Sequence, residues 1–142
     1  MPVIRRAALQ FADLPGRHSA DPLNLETGIA DSSVRVVRIA PGPRTPHRHP
    51  RTSEVVYVAA GWGVAWEDGQ RTSVTAGDLV AIPCGVPHAT VAGDDGLLLV
   101  CFFPDPDLAG NIEELPAPQV TAARSPPGSA PDSAPPAPPR GS

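Results

Sequence analysis

Lysine is absent from this chain: all 11 basic residues are arginine. That excludes a Schiff-base lysine, a lysine-linked pyridoxal cofactor and the lysine of a Walker-type phosphate loop. Aromatic residues make up only 4 % of the chain, so aliphatic side chains must do most of the packing. Charged residues are also sparse, 18 % against about 25 % in an average globular protein. No apolar run approaches the roughly 18 residues of a membrane span. The segment Met1 to Leu9 carries Arg5 and Arg6 without an apolar stretch behind them, so no secretory leader is expected and the expected location is cytoplasmic. Only two cysteines occur, Cys84 and Cys101, and in that compartment both are expected as reduced thiols. Only Arg44, Arg48 and Arg51 lie close together, and the net charge is −4, so no nucleic-acid partner is expected.

Proline and glycine are abundant instead, 20 and 13 of 142 residues, which is hostile to long helices. Length and a 41 % hydrophobic content suit one domain with one core. The composition breaks near Leu115. From Pro116 to Ser142, 9 of 27 residues are proline, with alanine, serine and glycine filling most of the rest. Such a segment cannot bury enough apolar area to offset chain entropy. The expected division is a folded domain over 1–115 and a disordered tail over 116–142.

Within 1–115 the signals are for short strands. Val34 to Ile39 is β-branched and ends at Pro41-Gly42-Pro43. Glu54 to Ala60 stops at Gly61, Trp62 to Trp66 follows, and Asp68-Gly69 marks a tight turn into Arg71 to Thr75. Leu79 to Ile82, Pro87 to Ala92 and Leu97 to Phe103 complete the set, the last two separated by the turn-like Gly93-Asp94-Asp95-Gly96. Strands at intervals of 8 to 12 residues indicate an all-β sandwich or barrel. A short helix is expected over Leu108 to Leu115, and a long polar loop over Leu14 to Pro22. Val55 to Ala60 and Leu97 to Phe103 are apolar on both faces, which points to a homodimer or to cover from Met1 to Phe11.

Three histidines and one glutamate carry the chemistry. His47 and His49 are two apart, so on a strand their imidazoles share a face. Glu54 opens the next strand, and His88 lies on a strand able to return alongside. Three imidazoles and a carboxylate form a mixed nitrogen and oxygen site for a divalent transition metal, with positions left for water, substrate or dioxygen. His18 is expected at the surface. Arg35 and Arg38 fall on opposite faces of one strand; solvated surface is the expectation for both, and one pointing inward could pair with an anionic substrate. Trp62, Val64 and Trp66 share a face and fit a pocket wall or the core equally. Cys84 is expected as a small buried hydrophobe and Cys101 as core.

The spacing Gly42, four residues, His47, one residue, His49, four residues, Glu54, six residues, Gly61 resembles the first motif of the cupin family. Gly77, five residues, Pro83, one residue, Gly85, two residues, His88 resembles the second. Two departures occur: four residues after Gly42 where five is usual, and Ala92 where asparagine often stands. Neither touches a ligand position. The resemblance implies a cupin-type double-stranded β-helix, a jelly-roll barrel, with His47, His49, Glu54 and His88 as ligands of one divalent metal. Fe(II) or Mn(II) is expected first, with zinc, nickel and copper as alternatives. It implies a metal-dependent enzyme acting on a small organic molecule, a dioxygenase-like oxidoreductase or an isomerase, cyclase or lyase. Glu54 would serve as ligand or, once detached, as catalytic base. The alternative is a non-catalytic cupin that binds a small ligand or assists another enzyme.

Overall fold

The β-branched and alternating segments form nine strands in the computed structural model, which describes residues 3–27 and 31–122. They are β1 (Ala12–Leu14), β2 (Arg17–Leu23), β3 (Ser33–Ile39), β4 (His47–Arg48), β5 (Glu54–Glu67), β6 (Gln70–Thr75), β7 (Leu79–Ile82), β8 (His88–Phe103) and β9 (Glu113–Glu114). All pairings are antiparallel. The order runs β1-β2-β3-β8-β4-β9, while β5 pairs with β6, β7 and β8. The sheet curls into an all-β jelly-roll barrel of the double-stranded β-helix type. Among the described residues no helix is long and apolar enough to cross a membrane.

Alternation decides what enters the barrel. β3 turns Ser33, Arg35, Val37 and Ile39 inward, and β5 turns Glu54, Val56 and Val58 inward. Val56, Val58, Leu99 and Phe103 are fully buried and anchor the apolar core. Each such side chain contributes about 1.5–3 kcal/mol by leaving water, and truncating one to alanine costs about 2–5 kcal/mol. The opposite face is apolar too and stays exposed: Val55 and Phe102 are cross-strand partners, as are Tyr57 and Leu79, and all four are exposed. Among the described residues, the N-terminal segment does not cover this face. Val3 and Ile4 are themselves exposed, and Phe11 lies under the Arg38 guanidinium at 4.0 Å, on β3.

Several local expectations change. The break expected at Gly61 is absent: β5 runs unbroken from Glu54 to Glu67, and β8 runs unbroken through Gly93 to Gly96. The glycines serve cross-strand contact instead of a turn. Gly61 has φ +85°, and a Cβ there would sit 1.9 Å from the Gly96 carbonyl oxygen, so only glycine lets β5 and β8 approach. Gly93 lies beneath the Trp62 ring, whose Nε1 donates to Asp95 Oδ2 at 2.9 Å.

The polar segment from Leu14 to Pro22 is a hairpin, β1 to β2, that turns at Gly16 with φ +70°. The helix expected over Leu108 to Leu115 is a single 3-10 turn, Ala109–Asn111, followed by β9. Eight residues that include Gly110 are too few to nucleate an α-helix without tertiary support. The composition break at Leu115 is not the edge of the packed chain. Val120 forms a two-way bridge with Arg44, N to O 2.9 and 2.7 Å, and packs against Ala89 and Val91. Val120 and Ala122 therefore pack on the barrel, while 116–119 and Thr121 are exposed; of the disordered tail expected over 116–142, residues 123–142 lie outside the described residues.

Candidate metal centre

β4 pairs with β8 so that His47 stands opposite His88, the first residue of that strand. His49 follows β4 by one residue, on the face that the two-residue spacing requires. Glu54 opens β5, where its backbone pairs with Ile82 of β7. The four side chains converge and are all buried. One potential ligand atom from each lies within 4.8 Å of the others. The imidazole centroids are 4.4 to 5.1 Å apart. Within the described residues, the structure thus brings together the four residues singled out from sequence.

Hydrogen bonds on the far side of two rings set their tautomers. His49 Nδ1 lies 2.7 Å from the Asn111 carbonyl oxygen, and His88 Nδ1 lies 2.9 Å from that of Val86. A carbonyl can only accept, so each Nδ1 carries the proton and, in the neutral ring, each Nε2 presents a lone pair to the cluster. There His49 Nε2 meets Glu54 Oε2, with His88 Nε2 3.5 Å from the same oxygen. Neither nitrogen has a hydrogen bond of proper geometry, nor has Glu54 Oε2 or His47 Nδ1. Lone pairs facing one another in a buried space are the arrangement that a bound cation satisfies. Burial, together with the neighbouring His88 and Arg17, holds the His47 imidazole well below its ordinary pKa and so neutral. Burial raises the Glu54 carboxyl, whereas N–H donation and positive charge at His49 and His88 would hold it below the usual carboxylate range; with Nε2 lone pairs facing it, that positive charge falls to a bound cation. The space enclosed is about 20 Å³, room for one ion or one water. Three neutral imidazoles and an ionised carboxylate around such a space fit a divalent metal ion.

The wall beside the cluster is unexpectedly cationic. Arg35 points inward, contrary to the surface expectation, and its Nε donates to Asp21 Oδ1 at 2.9 Å. Arg38 is exposed as expected. Arg17 and Arg44 are also buried on the same cavity, and neither was singled out from sequence. Arg17 pairs with Glu114 at 3.0 Å. Arg44 donates to the Thr90 carbonyl at 2.7 Å, while its Nε has no partner. Burial and the nearby Arg17 lower the Arg44 guanidinium to about 10, which leaves it charged at neutral pH.

Other residues divide between wall and periphery. Trp62 is buried in the sheet, whereas Trp66 lines a separate cavity of about 360 Å³ that also touches His88. His18 is at the surface beside Asp13. Cys84 is exposed, not buried, with Sγ 3.4 Å from the Pro50 carbonyl oxygen. Cys101 is a buried thiol, pushed well above its ordinary pKa by burial and by Glu54. Asn111, which anchors His49, went unnoticed in the sequence because nothing local marks it: its partners are about 60 residues away.

The family model described as Cupin domain matches residues 35–103. Among solved structures, ectoine synthase from P. lautus is similar at TM-score 0.68 and 23 % identity, over 83 % of this chain and 92 % of that one. Oxalate decarboxylase from Lactobacillus farciminis, in a formate complex, gives TM-score 0.68 and 21 % identity over 77 % of this chain and 34 % of that one. Oxalate decarboxylase from Bacillus subtilis gives 0.67 and 20 %, over 77 % and 30 %. The chain thus spans about a third of the length of these decarboxylases. At such identities the likeness is one of fold. A search of the curated proteins gave no match.

Proposed function

This chain belongs to the cupin family, and from that premise we propose that it is a metal-dependent enzyme acting on a small organic molecule. One observation carries the reading: three buried imidazoles and a carboxylate converge on a space for one ion, with unpartnered polar atoms on all four side chains. His47, His49, His88 and Glu54 would hold a divalent ion, Mn(II) or Fe(II) before zinc, nickel or copper. When bound, such an ion supplies Lewis acidity toward a carbonyl, enol or carboxylate oxygen. His49 and His88 are held in one tautomer and orientation by Asn111 and Val86. Glu54 would stay on the ion or, once detached, accept a proton from a molecule at the centre. The apolar strands around Leu99 and Phe103 keep bulk water from this end of the barrel.

The reaction we favour is of the lyase or cyclase kind, in which proton transfer at Glu54 accompanies bond cleavage or ring closure. Similarity to a synthase of nearly this chain's length and to decarboxylases supports that choice over the oxygenase reading. The exposed face of Val55, Tyr57, Leu79 and Phe102 supports a homodimer. Elemental analysis tests the centre: near-stoichiometric metal is expected in the purified protein and its loss in His49→Ala. Equal metal in both proteins would refute the ligand assignment. Turnover that proceeds without oxygen separates lyase or cyclase from oxygenase. A protein that binds metal and ligand yet converts nothing would be the non-catalytic cupin.

A further inference from the structure

Two cavities meet at a pair of arginines. Among the described residues, the 20 Å³ space at the ligand cluster and a cavity of about 570 Å³ outside it share Arg17 and Arg35 alone in their walls. Both guanidiniums are nearly inaccessible, 6 % and 7 % exposed by residue. Each is held from the outer side by a carboxylate that reaches into that cavity: Glu114 on Arg17, and Asp21 on Arg35. Both acids are about a third exposed at the side chain, so these partners can be displaced toward water. Behind them Arg44, 4 % exposed, has no carboxylate partner among the described residues, and its Nε makes no hydrogen bond.

The charges do not balance. A divalent ion on three neutral imidazoles and Glu54 leaves one positive charge over, and Arg44 adds a second. Burying cationic charge without an anion is costly, so the interior is built to receive one. The outer cavity is of mixed character. Leu14, Leu25, Leu108 and Ile112 line part of it, while Asp21 and Glu114 sit at its inner end.

We propose that the ligand of this centre is a small organic carboxylate, which enters through the outer cavity, displaces Glu114 and Asp21, and lays its carboxylate on Arg17 and Arg35 facing the cluster. The inference deepens the metal-enzyme reading and rests on it for the position of the reacting end. Planar guanidiniums match a carboxylate through paired N–H donors, and that geometry distinguishes a carboxylate from its amide. Leu14, Leu25, Leu108 and Ile112 give the rest of the molecule an apolar surface. The class is therefore an acid with a carbon body of a few atoms, not a free inorganic anion.

Isothermal titration of the metal-loaded full chain tests this with acetate, butyrate, malonate and succinate, and with the corresponding amides. Carboxylates should bind about tenfold or more tightly than their amides, as expected for hydrogen bonds to charged groups. Butyrate should exceed acetate by about tenfold for its two extra methylenes. Arg35→Gln should abolish the preference for carboxylate over amide with metal content unchanged. Because a buried arginine variant can fail to fold, Asp21→Asn and Glu114→Gln are the second arm. Each removes a competing charge at a position about a third exposed and should tighten succinate binding several-fold.

Amides that bind as well as acids would overturn the proposal, as would Asp21→Asn and Glu114→Gln proteins with unchanged affinity. Acetate equal to butyrate would overturn the apolar subsite. Metal content is measured on the same samples. A protein without metal whose succinate binding still depends on Arg35 would refute the metal reading and leave the anion site standing. A metal-loaded protein that ignores every acid would do the reverse.

Discussion

Replacing Asn111 by alanine tests whether the turn that supports His49 is coupled to the centre. Asn111 is 2 % exposed. Its Oδ1 accepts from the Arg51 amide at 2.9 Å, and its Nδ2 donates to Thr52 Oγ1 at 2.7 Å. Its carbonyl oxygen accepts from His49 Nδ1 at 2.7 Å. Asn111→Ala removes both side-chain bonds and leaves the carbonyl in place. Each lost bond costs about 1 kcal/mol, and a stranded partner costs up to about 3. Arg51 is exposed and Thr52 half-buried, so water can reach both partners and the total should lie near 2 kcal/mol. For a folded unit of this size that lowers the thermal midpoint by about 6–10 °C. The loosened turn then holds His49 less firmly, and loss of an outer hydrogen-bond partner weakens metal sites by about 10–100-fold. Since the carbonyl remains, the lower end, about tenfold, is expected. Urea unfolding of the metal-free protein reads the first effect, and chelator competition reads the second. A destabilised variant with unchanged metal affinity would show that Asn111 supports the fold alone. Unchanged stability would refute the hydrogen-bond argument.

Gly61→Ala combines a φ of +85° with a Cβ driven against the Gly96 carbonyl, and should cost about 3 kcal/mol or more, read as a lower urea midpoint. A chain ending at Ala122 should keep its thermal midpoint, whereas one ending at Leu115 should lose about 3–5 kcal/mol, because Val120 and its two bonds to Arg44 go with it; equal midpoints would show that residues 116–122 contribute nothing. Light scattering should give twice 14.7 kDa for the natural chain and a single-chain mass for Tyr57→Glu, whose charge would face the apolar patch; a single-chain mass for both would eliminate the homodimer.

The fold was legible because strand alternation and turn residues act locally. Val34 to Ile39, Arg71 to Thr75 and Leu79 to Ile82 need only their own neighbours to be recognised, and all three are strands. The long strands were less legible for the same reason. Gly61 and the run from Gly93 to Gly96 look like turns along the chain, and their purpose shows only across it. Gly61 pairs with Leu97 and admits the Gly96 carbonyl, and Gly93 makes room for Trp62. Val120 illustrates the limit of composition. One apolar residue among prolines has no periodicity, yet pairing with Arg44 gives its amide and carbonyl partners and draws the segment onto the sheet.

The centre divides along the same line. His47, His49 and Glu54 lie within eight residues, and the chemistry of their side chains marks them without any knowledge of register. Arg35 could not be placed so. In Ser33–Ile39 the inward set is Ser33, Arg35, Val37 and Ile39, and the outward set Val34, Val36 and Arg38. Both sets mix apolar and polar residues, so periodicity names two faces and cannot say which is inside. Pairing with β2 decides it. Ser19 stands opposite Val37, and both are buried, which turns Arg17 and Arg35 into the barrel on neighbouring strands. Asp21, two residues beyond Ser19, then neutralises Arg35 from the cavity side. A barrel end that gathers three imidazoles, a carboxylate and three guanidiniums inverts the usual inside and outside, and hydrophobic patterning is least informative where that inversion occurs.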